Sequence, residues 1–171
     1  MTSDALEKLR AQLREIDRGL LRALAARAGF PRHPWPVFPC GGIGRSCPPP
    51  LDEILLAISP AGTAAETAAA EAANRDLVAA LVARQETACR IADAKLDLLR
   101  ADAQAALETG DRGRMAALLA DLPAELGLLD FIRTAAAEFE SRLPGDLAPF
   151  LWREYVIPWT QRSELAHLLD P

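Results

Sequence analysis

Arg84 and Lys95 stand eleven residues apart in the stretch RQETACRIADAK. At 100° per residue they point within roughly 20° of each other, about 16 Å apart along a helix axis. Leu77, Leu81, Ala88 and Ile91 fall on the same line. The face that carries both cations is therefore the face that should be buried. Three readings compete. Long basic side chains can bury their stems and leave their heads in water. They can pair internally with Glu86, Asp93 or Glu125. Or they can flank a small polyanion whose charge offsets the cost of desolvating two cations. Arg27 closes a similar line of Leu6, Leu13 and Leu20. Cations repeated on apolar lines read best as the wall of a pocket for an anion.

Other candidate chemistry is thinner. GGIG at 41–44 follows no strand and lacks the Lys-Ser/Thr of a phosphate loop, which leaves it a turn. Cys40, Cys47 and Cys89 make an odd count that suits a reducing cytoplasm, with Cys40 and Cys47 expected as free thiols. No C-x-x-C spacing occurs, and His33 and His167 are isolated, so neither a metal nor a cofactor is expected. A net charge of −5, with acids and bases interspersed, argues against nucleic acid or an anionic membrane as a partner. No apolar run approaches the ~18 residues of a membrane span. MTSDALEKLRAQ is too charged for a secretory signal, and the expected location is cytoplasmic.

The elements that must position these cations are helical. Half of the residues are apolar but only 5% are aromatic, so Ala and Leu carry the hydrophobic volume. The 171 residues fit one all-α domain with a real core. Residues 1–30 form a first helix opening at Ser3 or Asp4, with a narrow stripe of Leu6, Leu9, Leu13, Ile16, Leu20 and Leu24. That stripe asks for a partner helix, and a homodimer would supply one. Residues 31–62 are a Pro/Gly-rich insertion with one short helix, LDEILLAIS, and seven of the thirteen prolines fall in its first part, 31–50. Its Trp35, Val37 and Phe38 are apolar enough to pack on the bundle.

Residues 63–171 carry the remaining helices. A long one runs from Thr63 to about Leu107, and Gly110 caps it. RMAALLADL and PAELGLLDFIRTAAAEFESRL follow, then a PGD turn and LAPFLWREYVIPWTQRSELAHLL, which Pro158 should kink. Within the chain, DRGLLRALAAR (17–27) and NRDLVAALVAR (74–84) match at six of eleven positions, 57 residues apart.

Three blocks together resemble the all-helical chorismate mutases. LRAQLREIDRGLLRALAAR carries Leu9-Arg10, Asp17, Leu20-Leu21 and Arg27 at the spacing of that family's first helix. RQETACRIADAK supplies the second half of the same family helix as Arg84 and Ala94-Lys95, and LWREYVIP is similar to the signature of its last helix. The resemblance implies an intertwined homodimeric helical bundle that rearranges the dianion chorismate to prephenate. On that reading Arg84 holds a carboxylate, Lys95 faces the ether oxygen, Glu125 takes the family's glutamate position, and Arg10 reaches a neighbouring subunit's pocket. Arg27 or Arg84 fills the single family arginine, and the ungapped distance to Lys95 favours Arg84.

The chain also departs from the family. DLPAELGLL matches the second family helix with Asp121, Glu125, Leu128 and Leu129 but has Ala124 in place of an arginine. A rival register keeps Asp111 and Arg114 but puts Met115 at the glutamate. On the last helix the polar family positions fall at Trp159 and Ser163, with Gln161 or Glu164 as substitutes beyond the Pro158 kink. Two alternatives stand beside the mutase: an isochorismate-pyruvate lyase, and a non-catalytic binding or regulatory protein of the same fold.

Overall fold

A computed structural model describes residues 3–30, 50–59 and 68–170. Every regular element in them is helical, so the all-α expectation holds. The order is α1 (Ser3–Ala28), α2 (Leu51–Ile58), α3 (Ala68–Thr109), α4 (Arg112–Leu119), α5 (Leu122–Ala136), a 3-10 turn (Ala137–Phe139), α6 (Leu147–Leu151), a π-helical stretch (Trp152–Val156) and α7 (Ile157–Leu169). GGIG, Cys40, Cys47, His33, Trp35, Val37 and Phe38 lie outside the described residues.

Local chemistry sets the breaks. Gly110, with φ +63°, ends α3 as expected, and Gly145, with φ +58°, makes the turn before α6. Asp111 caps α4 by accepting from the Arg114 amide at 2.9 Å, and Asp121 caps α5 by accepting from the Ala124 amide at 3.2 Å. The helix expected to run to Leu143 stops short. It tightens after Ala136, and the Arg142 and Leu143 amides both close onto the Phe139 carbonyl. Pro144 disfavours helical geometry at the residue before it.

α1 lies antiparallel along α3, and the stripe on α1 is covered by α3 of its own chain. Leu20, Leu21 and Leu24 share the main core with Leu77 and Leu81, while Leu6 and Leu9 pack with Ile91 and Ala94. Two polar pairs set the register. Arg84 Nε donates to Asp17 Oδ1 at 2.7 Å, and Arg27 Nε donates to Asn74 Oδ1 at 2.6 Å. Ile54, Leu55 and Ile58 of α2 are buried in the same core, which also takes Ile132, Trp152 and Trp159 from the far side. Ala92, Ala106, Met115 and Leu119 form a separate cluster that ties α4 to α3.

The expected kink at Pro158 takes a specific form. Proline has no amide proton, and its ring clashes with the carbonyl four residues back. The turn before it widens, with the Ile157 amide bonding the Trp152 carbonyl. Such a stretch holds one more residue than an α turn, and so rotates everything after it by one position. α6 and α7 therefore continue one another with their faces out of step.

Burial makes these contacts unequal. Leu81 is fully buried between α1 and the core, whereas Leu126 on α5 is exposed. Leu81→Ala should cost about 2–5 kcal/mol in urea unfolding and Leu126→Ala under about 0.5 kcal/mol. Equal losses at the two positions would contradict this packing.

Candidate functional site

A cavity of about 510 Å³ opens where α1, α3, α4, α5 and α7 converge. That is an ordinary size for a small-molecule site. Arg84 and Lys95 line it from α3, with Ile91 between them as the helical spacing requires. Arg10 and Arg14 line it from α1, and Asp121, Ala124 and Glu125 from the start of α5. Thr160, Gln161 and Glu164 face it from α7. Leu119, Leu128 and Leu165 complete apolar walls.

Arg84 is the most deeply held of the cations, only 1% exposed. Its Nε binds Asp17, and its Nη1 donates to Thr160 Oγ1, whose own hydroxyl donates to the Val156 carbonyl at 2.7 Å. Asp17 Oδ1 also accepts from Trp152 Nε1 at 3.0 Å, while its Oδ2 is buried without a partner. Burial pushes the Asp17 carboxyl up, and the Arg84 guanidinium with the two hydrogen bonds works against that rise. The internal-pair reading of the sequence thus holds for Arg84, but its partner is Asp17 on the facing helix rather than Glu86, Asp93 or Glu125. With Nε and Nη1 engaged, Nη2 is left for a ligand.

The other cations are held more loosely. Lys95 is part-buried and donates to the Leu119 carbonyl at 2.5 Å, which leaves two of its protons. Arg10 bridges Glu7 and Asp121 Oδ2 at the rim. Arg10 thus lines a cavity of its own chain. Glu125 accepts from Gln161 at 2.9 Å. Glu164 is buried, and desolvation raises its pKa to about 7, against the pull of Lys95 and Arg84 and with a push from Glu125. Near neutral pH it is a carboxyl poised between donor and acceptor.

Several sequence candidates sit elsewhere. Arg27 is buried at the opposite end of the hairpin, holding Asn74 and the Phe30 carbonyl, and does not line the cavity. Arg114 is turned away, pairing with Asp102 at 3.6 Å, so none of Asp111, Arg114 and Met115 of the rival register lines the cavity. Ser163 accepts from Gln85 at 3.0 Å, and Trp159 is fully buried in the core. In place of 159 and 163 the cavity takes Thr160 and the two substitutes expected beyond the kink, Gln161 and Glu164, a shift of one residue that matches the π-helical stretch.

Sequence reasoning missed Arg14, Thr160, Arg162 and the supporting Asp17. Arg14 had a legible signal, since it lies one turn from Arg10 on the same face. Cys89 is half-buried, with its thiol pushed up to about 11 by desolvation and nearby carboxylates, and so is a poor nucleophile. Among the described residues no group of His, Cys, Asp or Glu could hold a metal, and no helix is long and apolar enough to cross a membrane.

Removing one member of a buried charge pair strands the other. Asp17→Ala should therefore lower stability by about 3–5 kcal/mol in urea unfolding, and adding Arg84→Met should restore much of it. A loss near the ~0–1 kcal/mol of a surface pair would show that Asp17 and Arg84 do not depend on each other. Compared with known proteins, the chain matches no family model, no curated protein and no solved structure.

Proposed function

We propose that the cavity binds a compact dianion and that the chain is a chorismate mutase-like enzyme, a helical bundle of that type which converts chorismate to prephenate. The observation that carries the reading is the pair of inward cations, Arg84 and Lys95, which line an apolar cavity from α3 while Arg10 and Arg14 line it from α1. The rearrangement needs no covalent enzyme intermediate. Its rate comes from holding the reactive conformer and from stabilising charge at the breaking ether oxygen. Arg84 Nη2 grips one carboxylate from a guanidinium that Asp17 and Thr160 already hold still. The arginines of α1 take the other. Arg14, exposed and without an ion pair among the described residues, offers a guanidinium across from Ala124. Lys95 donates to the ether oxygen, and Glu125 supplies an acceptor held by Gln161.

Ala124 favours a second reading, a binding or regulatory protein of the same fold, because α5 places no cation in the cavity. A lyase acting on isochorismate would use the same cavity. Incubation with chorismate separates these readings: prephenate is expected. Release of pyruvate from isochorismate would support the lyase. No turnover, with no stabilisation by a transition-state analogue, would leave the binding protein.

Lys95→Ala should lower kcat by at least about 100-fold, the usual loss for one transition-state donor, while the protein stays folded by circular dichroism. Unchanged turnover would remove Lys95 from the site.

Glu164 gives the pH dependence its sign. Its folded pKa of about 7 lies above the ordinary 4.5. Its neutral form therefore favours the fold, and that contribution, complete below 4.5, fades as pH rises through 7. The neutral form also donates to an anion, whereas the carboxylate repels it. Dianion affinity should fall by up to about tenfold per pH unit above 7, and Glu164→Gln should flatten the profile. A flat wild-type profile in titration calorimetry would rule out this role.

A further inference from the structure

Asp17 and Asn74 open the two echoed stretches, and Arg27 and Arg84 close them. In the folded chain each opening residue holds the closing arginine of the other copy: Asp17 takes Arg84 at 2.7 Å and Asn74 takes Arg27 at 2.6 Å, both through Nε. The leucines between them behave alike, with Leu20 and Leu24 of one copy sharing a core with Leu77 and Leu81 of the other. Such reciprocity, where residue i meets j and j meets i, is the mark of a two-fold interface between identical surfaces. Two unrelated helices have no reason to place the same donor atom and the same acceptor type at both ends of their contact.

We propose that the α1–α3 hairpin is a homodimer-like interface folded into one chain, so that a single chain completes the cavity and works as a monomer. The two copies have kept different halves of one site. The α1 copy is preceded by Arg10 and Arg14, and the α3 copy is followed by Ile91 and Lys95; both extensions run to the same cavity. Of the two closing arginines only Arg84 lines it, so among the described residues the two copies together make one such site. The connection reinforces this choice. Residues 29–67 are long enough to return the chain, and α2 within them buries Ile54, Leu55 and Ile58 in the hairpin's own core. A linker tacked to the hairpin it joins keeps the effective concentration of α1 at α3 high. A dimer that exchanged α1 between chains would keep every helix contact but would have to carry this linker across. The inference replaces the homodimer expected from the α1 stripe, because α3 already covers that stripe in cis.

Light scattering at increasing concentration should give the mass of one chain, and the thermal midpoint should not move with concentration. A mass of two chains, or a midpoint that climbs with concentration, would overturn the proposal. Both measurements are independent of any ligand, so they decide it even if chorismate is not turned over. Only the next experiment rests on the proposed function. Arg10→Ala and Lys95→Ala chains, unfolded together and refolded as a mixture, should show no more turnover than the more active variant alone. Recovered turnover would require α1 of one chain to complete the cavity of another, and would likewise overturn it.

Discussion

Arg84 is charged, fully enclosed and aimed at a cavity, and the arrangement of the whole bundle follows from keeping it there. Its Nε must be met from the side away from the cavity, and α1 is the helix that can present Asp17 to it. Asp17 in turn needs a second donor in a dry environment, and Trp152 supplies one from the helix that follows α6. Thr160 reaches Nη1 only because the turn between Trp152 and Pro158 is widened by one extra residue. Three separate segments thus converge on one guanidinium. A buried ion pair of this kind is a weak source of net stability, since desolvation consumes most of the Coulombic gain. Its contribution here is to select one register of α1 on α3 and one rotation of α7.

The cavity divides into held and loose parts. Arg84, Asp17 and Thr160 are buried and mutually bonded, which suits a fixed anchor. Arg10, Arg14 and Gln161 stand nearer solvent, where a guanidinium or amide can adjust to what enters. Glu164 lies between these extremes, buried enough to be reluctant to ionise and close enough to Lys95 and Arg84 to be drawn toward it. Preorganisation on one side and adaptability on the other is the division that the proposed reaction, which depends on restricting the conformers of its substrate, would call for.

Much of this was legible in the chain, and what was not has physical reasons. Helical periodicity placed Arg84, Ile91 and Lys95 on one wall, and Gly110 ended α3 as its position in the pattern required. The partner of Arg84 was not legible, because spacing along one helix carries no information about a carboxylate 67 residues away. That the family positions at Trp159 and Ser163 fall away from the cavity was not legible, because a proline announces a disruption without saying whether the helix will bend or widen by a residue. The one-residue shift moves Trp159 into the core and brings Thr160 to the cavity beside Gln161 and Glu164, the substitutes expected beyond the kink. Arg27 and Arg84 look equivalent in sequence, and only the fold distinguishes the end of the hairpin that meets α4 and the first turn of α5 at the cavity from the end that does not.

Asp121 holds the backbone of α5 with one carboxylate oxygen and Arg10 of α1 with the other. It works as a pin between α1 and the first turn of α5, beyond the core that the two helices share further along. Glu125 begins one turn beyond that pin, so the position of an acceptor in the cavity is tied mechanically to the position of a cation on α1. On the function proposed above, an anion that drew Arg10 inward would compete with Asp121 for it, so its grip on the α1 side of the cavity would be weighed against the hold of α1 on a helix end.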